Sequence, residues 1–265
     1  MLTSLNNTRI KRVAELSKKA GARNKEDVFI VEGIRMFREA PADRIVECYV
    51  TEEFLEKCDC KDRIFRCSYE LVSKEVFEKI SDTRTPQGIL CVVKQYHYRL
   101  EELLRKENPL LVLLEELQDP GNLGTILRTG EGAGIDGIIM SKKTVDIYNP
   151  KTIRATMGSI YRVPFLYTES LEQVLLQLKE KNIHTYAAHL QGKEYYDIQE
   201  WNEGCALLIG NEGNGLKKET ADLAEKYIKI PMKGQLESLN AAVAAAILMY
   251  EAASQRERKN CYENI

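Results

Sequence analysis

No apolar run in the 265 residues approaches the roughly 18 to 20 that a bilayer-spanning helix requires. The opening stretch MLTSLNNTRIKRVAELSKK also lacks the apolar core of a secretory leader, so a cytosolic chain is expected. Proline is scarce at seven residues, and with 16 Gly, 44% hydrophobic and 29% charged residues the disordered, collagenous and low-complexity classes are excluded. The cysteine count, seven, is odd, and no C-x-x-C pair occurs among Cys48, Cys58, Cys60, Cys67, Cys91, Cys205 and Cys261. A disulfide framework is therefore not expected. The C-x-C step at Cys58 and Cys60 has no second half, and His97, His184 and His189 supply no ligand pair at helical spacing, so no metal is assigned.

Net charge is only −2, which by itself argues against a nucleic-acid partner, but its distribution is uneven. Residues 1–25 carry Arg9, Lys11, Arg12, Lys18, Lys19, Arg23 and Lys25 against Glu15 alone, a net of +6 that leaves −8 for the rest. Two readings compete: a basic arm that meets phosphates, and a solvated helix face with Val13 and Leu16 turned inward.

The length allows one large or two medium domains. The first hundred residues mix helical and strand patterns: a basic helix, an apolar run Val28 to Val31, a helix near Ile34 to Ala40, strands near Ile45 to Val50 and Gly88 to Val93. The polar stretch after Tyr96 is read as a boundary. This gives a small α/β domain over residues 1–96, a linker over 97–108 and a second α/β domain over 109–265. In the second, Leu110 to Leu114 reads as a central parallel strand. Further strands are expected at Ile135 to Met140, Ile183 to Ala188, Ala206 to Ile209 and Ile228 to Ile230. Between and after them, helices are expected at Thr125 to Ala133, Pro150 to Met157, Leu171 to Lys181, Lys217 to Ala224 and Ser238 to Ala253.

An open parallel sheet binds ligands beyond the carboxyl ends of its strands, which directs attention to three loops. The first runs Asp119-Pro120-Gly121-Asn122-Leu123-Gly124-Thr125 and leads to Arg128. The second is Gly210-Asn211-Glu212-Gly213-Asn214-Gly215, and the third spans Pro231 to Asn240, with Ser238 a possible helix N-cap. Singly, each loop is better read as turn and capping chemistry. Nucleotide-binding alternatives fail on spacing, because G-x-x-x-x-G-K-[ST] and a post-strand G-x-G-x-x-G are both missing and Gly130 to Gly134 lies late in a helix. A G-x-S-x-G nucleophile elbow is missing too.

Taken together the three loops resemble the SPOUT superfamily, in its SpoU/TrmH-type branch of RNA ribose 2′-O-methyltransferases. Asn122 through Thr129 is similar to that branch's first motif and Ile209 through Leu216 to its second. Ile230-Pro231-Met232 with Ser238 through Ala244 is similar to the third. A weaker likeness extends to Phe29 through Gly33, Ser81-Asp82-Thr83 and Pro86-Gln87-Gly88, which resemble the branch's amino-terminal substrate-binding module, itself similar to certain RNA-binding ribosomal proteins.

The resemblance implies a carboxyl-terminal domain tied in a trefoil knot, an exception to the rule that chains avoid knots, and a homodimer. It implies S-adenosylmethionine as cofactor, held by Gly210, Asn211, Gly215, Ile230, Met232 and Leu239 largely through backbone groups. It assigns the reaction to Arg128, Asn122, Glu212, Ser238 and Asn240. Arg128 would act as phosphate clamp or base, Glu212 would hold Arg128 by a charge-assisted hydrogen bond, and the remaining three would complete a polar pocket. The implied partner is RNA, ribosomal RNA ahead of transfer RNA because of the separate amino-terminal module, with neither DNA nor membrane expected. Alternatives are a transfer RNA enzyme, a SPOUT enzyme methylating a base nitrogen, and a non-catalytic RNA-binding protein on the same platform.

Overall fold

The computed structural model describes residues 1–263. The chain separates into two compact units, one of Met1–Tyr96 with Asp146–Tyr161 and the other of the remainder.

In the first unit, α1 (Thr8–Lys18) starts where the Asn7 side chain accepts a hydrogen bond from the Arg9 amide. Its Ile10, Val13 and Leu16 recur at three-residue intervals, share one face and are buried. Burial of each is worth about 1.5–3 kcal/mol. After α2 (Ala20–Glu26), Asp27 turns into the left-handed region at φ 57° and the chain enters β1 (Val28–Glu32). Next come α3 (Ile34–Glu39), β2 (Ile45–Thr51), α4 (Glu52–Lys57) and α5 (Lys61–Phe65). The run ends with β3 (Tyr69–Val72), α6 (Lys74–Ile80) and β4 (Ile89–Lys94). The sheet order is β1-β4-β2-β3, with β4 antiparallel to both neighbours and β2 parallel to β3. Its core gathers the α1 residues with Val28, Ile30, Tyr49, Val76, Phe77 and Leu90.

Four of the seven basic residues of the arm pair with acids of the first unit. Arg9 pairs with Glu70, Arg12 with Glu26 and Glu47, and Lys19 with Glu15. Arg23 is only 3% exposed and is held by the Leu16 carbonyl and Asp146. Lys11, Lys18 and Lys25 alone lack a hydrogen-bonded acid among the described residues.

The second unit opens with α7 (Leu100–Leu103), β5 (Leu110–Leu114), α8 (Pro120–Ala133) and β6 (Gly137–Ser141). The segment Asp146–Tyr161, with α9 (Pro150–Thr156), clusters with the first unit, where the sequence pattern had placed it in the second. Phe29 stacks on its Tyr148 and Arg154 pairs with Asp82. The chain continues through β7 (Phe165–Thr168), α10 (Leu171–Glu180), β8 (His184–Ala188) and β9 (Glu194–Tyr195). It finishes with β10 (Cys205–Ile209), α11 (Lys218–Ala221), β11 (Lys226–Lys229) and α12 (Ala241–Glu263).

The seven strands lie in the order β7-β6-β5-β10-β8-β11-β9, every pair parallel. β5 and β10 are buried at all five positions, as central strands covered on both faces must be. From β5 the chain steps outward to β6 and β7 and then crosses to build the other side. The topological switch point therefore lies between β5 and β10.

Several boundaries differ from the sequence pattern. α8 begins five residues earlier than expected, at Pro120, because Asp119 caps it through the Asn122 amide and proline suits the first helical position. α12 begins at Ala241 with Asn240 as the capping side chain, so Ser238 is not the N-cap. α11 is shorter than the expected Lys217 to Ala224. The strands β3, β7 and β9 were not foreseen, being four residues or fewer. No helix among the described residues is long and apolar enough to cross a membrane.

Candidate functional site

At the switch point the carboxyl ends of β5 and β10 lie side by side, with β8 and then β11 next in the sheet. The three loops singled out in the sequence leave β5, β10 and β11, so parallel pairing delivers them to one edge of this unit.

One run of side-chain hydrogen bonds joins all three. The Asn122 amide nitrogen donates to Glu212 Oε1 at 3.0 Å, and the Asn240 amide nitrogen donates to Asn122 Oδ1 at 3.0 Å. The partners are 90 and 118 residues apart in the chain. Glu212 also accepts from the main-chain amides of Gln118 at 3.0 Å and Asp119 at 2.9 Å, directly before the N-terminus of α8, where unpaired donors favour an anion. Partial burial alone pushes the Glu212 carboxyl up, but these hydrogen bonds together hold it below the ordinary carboxylate value.

The loop after β10 is a closed ring. Asn211 N donates to the Gly215 carbonyl at 3.0 Å and Gly215 N to the Asn211 carbonyl at 2.9 Å. Inside it, Asn211 Oδ1 accepts from the amides of Gly213 and Asn214, and its Nδ2 donates to the Glu116 carbonyl at 2.8 Å. A Cβ on Gly210 would lie 2.1 Å from the Gly215 carbonyl carbon, so only glycine lets the two backbone segments pass this closely. The Asn211 side chain is thus consumed in shaping the loop.

The third loop contrasts with it. From Ile230 to Leu239, no backbone amide or carbonyl has a hydrogen-bond partner among the described residues. Ile230, Met232 and Leu239 are half-buried while Ser238 is exposed and unpartnered. Free main-chain donors and acceptors beside a tight glycine ring suit a ligand recognised through backbone groups, which is how the resemblance has S-adenosylmethionine held.

Arg128 departs from expectation. It sits six residues beyond Asn122 on α8, about 9 Å along and about 240° round the helix. It is exposed and makes no hydrogen bond or ion pair among the described residues. The expected clamp from Glu212 is not formed; its oxygens accept from Gln118, Asp119 and Asn122 instead. The structure therefore brings together Asn122, Glu212 and Asn240, with Gly210, Asn211 and Gly215 beside them, and leaves Arg128 and Ser238 free.

Two features were missed in the sequence. Glu115, 3% exposed at the end of β5, accepts from Lys217 N at 2.7 Å and Thr220 Oγ1 at 2.5 Å, and so fixes the exit of the glycine ring. A carboxylate ending an apolar strand was the available signal. The loop His189 to Gly192 leaves β8, which lies between the strands carrying the second and third loops, and His189 N donates to the Ile228 carbonyl at 2.9 Å. Only the strand order reveals its place. No group of three or more His, Cys, Asp or Glu disposed to hold a metal occurs among the described residues.

Residues 109–250 match the SpoU rRNA Methylase family, and residues 7–91 match the MRM3-like substrate binding domain. The chain is 34% identical over 252 residues to the 23S rRNA (guanosine(2553)-2′-O)-methyltransferase RlmP of Bacillus subtilis, covering 94% of this chain and 97% of that protein. An AdoMet-bound rRNA methyltransferase from Sinorhizobium meliloti superposes with a TM-score of 0.85 at 29% identity, over 96% of this chain and 97% of the other. The SpoU methyltransferase AviRb from Streptomyces viridochromogenes shares the fold, with a TM-score of 0.87 at 24% identity over 95% of this chain and 99% of that one.

Proposed function

The chain belongs to the SpoU rRNA methylase family, and from that membership we propose that it transfers a methyl group from S-adenosylmethionine to a ribose 2′-hydroxyl of ribosomal RNA. The observation that carries the reading is the Glu212–Asn122–Asn240 run, which draws three motif-bearing loops into one site. The cofactor supplies an electrophilic methyl on a sulfonium, open to in-line displacement.

The chain's residues have two tasks, positioning and management of one proton. Backbone groups of Gly210, Asn211, Gly215, Ile230, Met232 and Leu239 hold the cofactor. Asn211 acts through the ring that its side chain organises. Glu212, fixed in its ionised form, orients Asn122, which in turn orients Asn240 at the head of α12. Arg128, with no internal partner, is available to RNA. A guanidinium hardly deprotonates, so its role is a bidentate phosphate clamp and a positive field at the attacking oxygen. Ser238, exposed in the third loop, completes the polar lining around the substrate.

A division of labour is supported by the two domain matches. Residues 1–96 select the RNA, 97–108 link, and 109–265 carry out transfer, with Asp146–Tyr161 lent to the first unit. The protein works as a homodimer, a reading supported by two apolar side chains seven residues apart on α12, Val243 at 47% and Tyr250 at 53% exposure. Ribosomal RNA as substrate sets its place of work in the cytoplasm.

The test is methylation of ribosomal RNA in vitro, with the methyl mapped to ribose or base. Arg128→Ala is expected to lower turnover at least 100-fold, a loss of the size seen when one transition-state donor is removed, with cofactor affinity unchanged. Arg128→Lys keeps the charge but not the fork and should stay nearly as impaired. Methyl groups on a base nitrogen, or an active Arg128→Ala variant, would overturn the assignment.

A further inference from the structure

Three of the seven cysteines converge in the first unit, and none of them is among the residues assigned to methyl transfer. Cys48 on β2 and Cys91 on β4 face each other in the antiparallel register, both buried, with sulfurs 3.2 Å apart. The Cys48 amide donates to the Ser68 carbonyl on the β3 side. It therefore points away from β4, which makes Cys48 and Cys91 a non-hydrogen-bonded cross-strand pair. Such pairs have the shortest Cα separation in an antiparallel ladder, about 4.5 Å, within the span a disulfide bridges. Cys67 is half-buried, donates to the Arg63 carbonyl at 3.3 Å and also meets Cys48. The Arg63 guanidinium lies close enough to favour the thiolate form of both Cys48 and Cys67.

We propose that these thiols form a reversible oxidation site, in which Cys67 meets a peroxide at the surface and a disulfide is stored between Cys48 and Cys91 on the buried strands. A hydrogen bond from the Cys91 thiol holds Cys48 below its ordinary value against the opposing effect of burial, with Cys67 and Arg63 adding to it. Burial and the adjacent Cys48 push Cys67 up to about 11. Cys48 is thus the more acidic of the two, and when it ionises, transfer of the Cys67 proton to Cys48 carries the thiolate to the rim. Small thiol clusters beside a guanidinium and partly exposed are where oxidation is selective.

The chemistry balances without another reagent. The Cys67 thiolate attacks one peroxide oxygen, the O–O bond breaks and hydroxide leaves, taking up a proton as water. Cys48 then attacks the Cys67 sulfenic sulfur, and the S–O bond breaks with loss of the second water. Cys91 attacks Cys48, the new disulfide forms, and Cys67 leaves as thiolate and regains its proton. Two thiols are oxidised and one peroxide is reduced to two waters.

The experiment exposes the full chain to one equivalent of hydrogen peroxide, alkylates remaining thiols after denaturation and maps crosslinks by mass spectrometry. A Cys48–Cys91 crosslink with a 2 Da mass loss, removed by dithiothreitol, is expected. Cys67→Ser should slow its formation at least tenfold, and Cys91→Ser should accumulate Cys48–Cys67 instead. Free, alkylated Cys48 and Cys91 after treatment, whether oxidation falls on Cys58, Cys60, Cys261 or on Cys67 alone, would overturn the proposal. So would an unchanged rate in Cys67→Ser. The mapping on the unsubstituted chain decides the matter even if a variant fails to fold.

Discussion

At the level of single residues, the site is a set of acceptors matched to particular donors. Glu115 is the sharpest case, because its partners are a main-chain amide and a hydroxyl. In Glu115→Gln the carbonyl oxygen can accept from Lys217 N while the amide nitrogen donates to Thr220 Oγ1, so stability should change little. Glu115→Leu has similar volume but strands both partners, and a loss of about 1–3 kcal/mol is expected in urea unfolding. Equal losses in both variants would show that the carboxylate charge, not its acceptor geometry, matters. For Glu212→Gln the new NH2 must confront at least one donor among Gln118 N, Asp119 N and Asn122 Nδ2. Cofactor affinity should fall about tenfold, near 1.4 kcal/mol, in a calorimetric titration. Much of this was legible in the sequence: Asn122, Glu212 and Asn240 were singled out and do meet. What could not be read was who holds whom. Glu212 was matched to Arg128 by charge, whereas the amides preceding α8 claim it first, since main-chain donors at a helix entrance are fixed in place and a long guanidinium is not.

Elements are fixed by caps and by the ends of strands, and one such tie is sensitive to pH. His184, the first residue of β8, hydrogen-bonds Glu225 through Nδ1 at 2.7 Å and Glu203 through Nε2 at 3.1 Å. The Glu225 hydrogen bond is the largest cause of its raised pKa, against partial desolvation. With the folded value above the unfolded one, near 6.5, the stabilisation is complete below the unfolded value and disappears as pH rises through the folded value. The gap in thermal midpoint between the natural chain and His184→Asn should therefore be larger at pH 5.5 than at pH 8.5. An equal gap at both would remove the ion-pair explanation. Element prediction succeeded where apolar runs are long, as in β5 and β10. It missed β3, β7 and β9 because two to four residues carry too little periodicity to distinguish strand from loop. It also placed the start of α8 late, since Asp119-Pro120-Gly121 reads as a turn until the Asn122 amide is seen to need a cap.

On the scale of the whole molecule, the proposed dimer gives a direct prediction. Replacing Val243 and Tyr250 together by glutamate should turn a dimer into a monomer in size-exclusion chromatography with light scattering, with loss of methylation. A natural chain that is already monomeric at micromolar concentration would sink the proposal. The basic amino terminus illustrates a general difficulty at this scale. A net charge of +6 over 25 residues suggested an RNA-facing arm, yet most of that charge is answered by acids from α1, α2, β2, β3 and the Asp146 segment.

By itself the sequence determined the fold class, the family and the three loops, because buried strands and glycine-bearing turns depend on local composition and spacing. Tertiary structure alone decided that the loops share one hydrogen-bond run, that Arg128 is left free and that Cys48 lies against Cys91. Each of these is a meeting of residues between 43 and 118 positions apart, or the failure of such a meeting. Such meetings are set by strand order and register, which local composition does not encode.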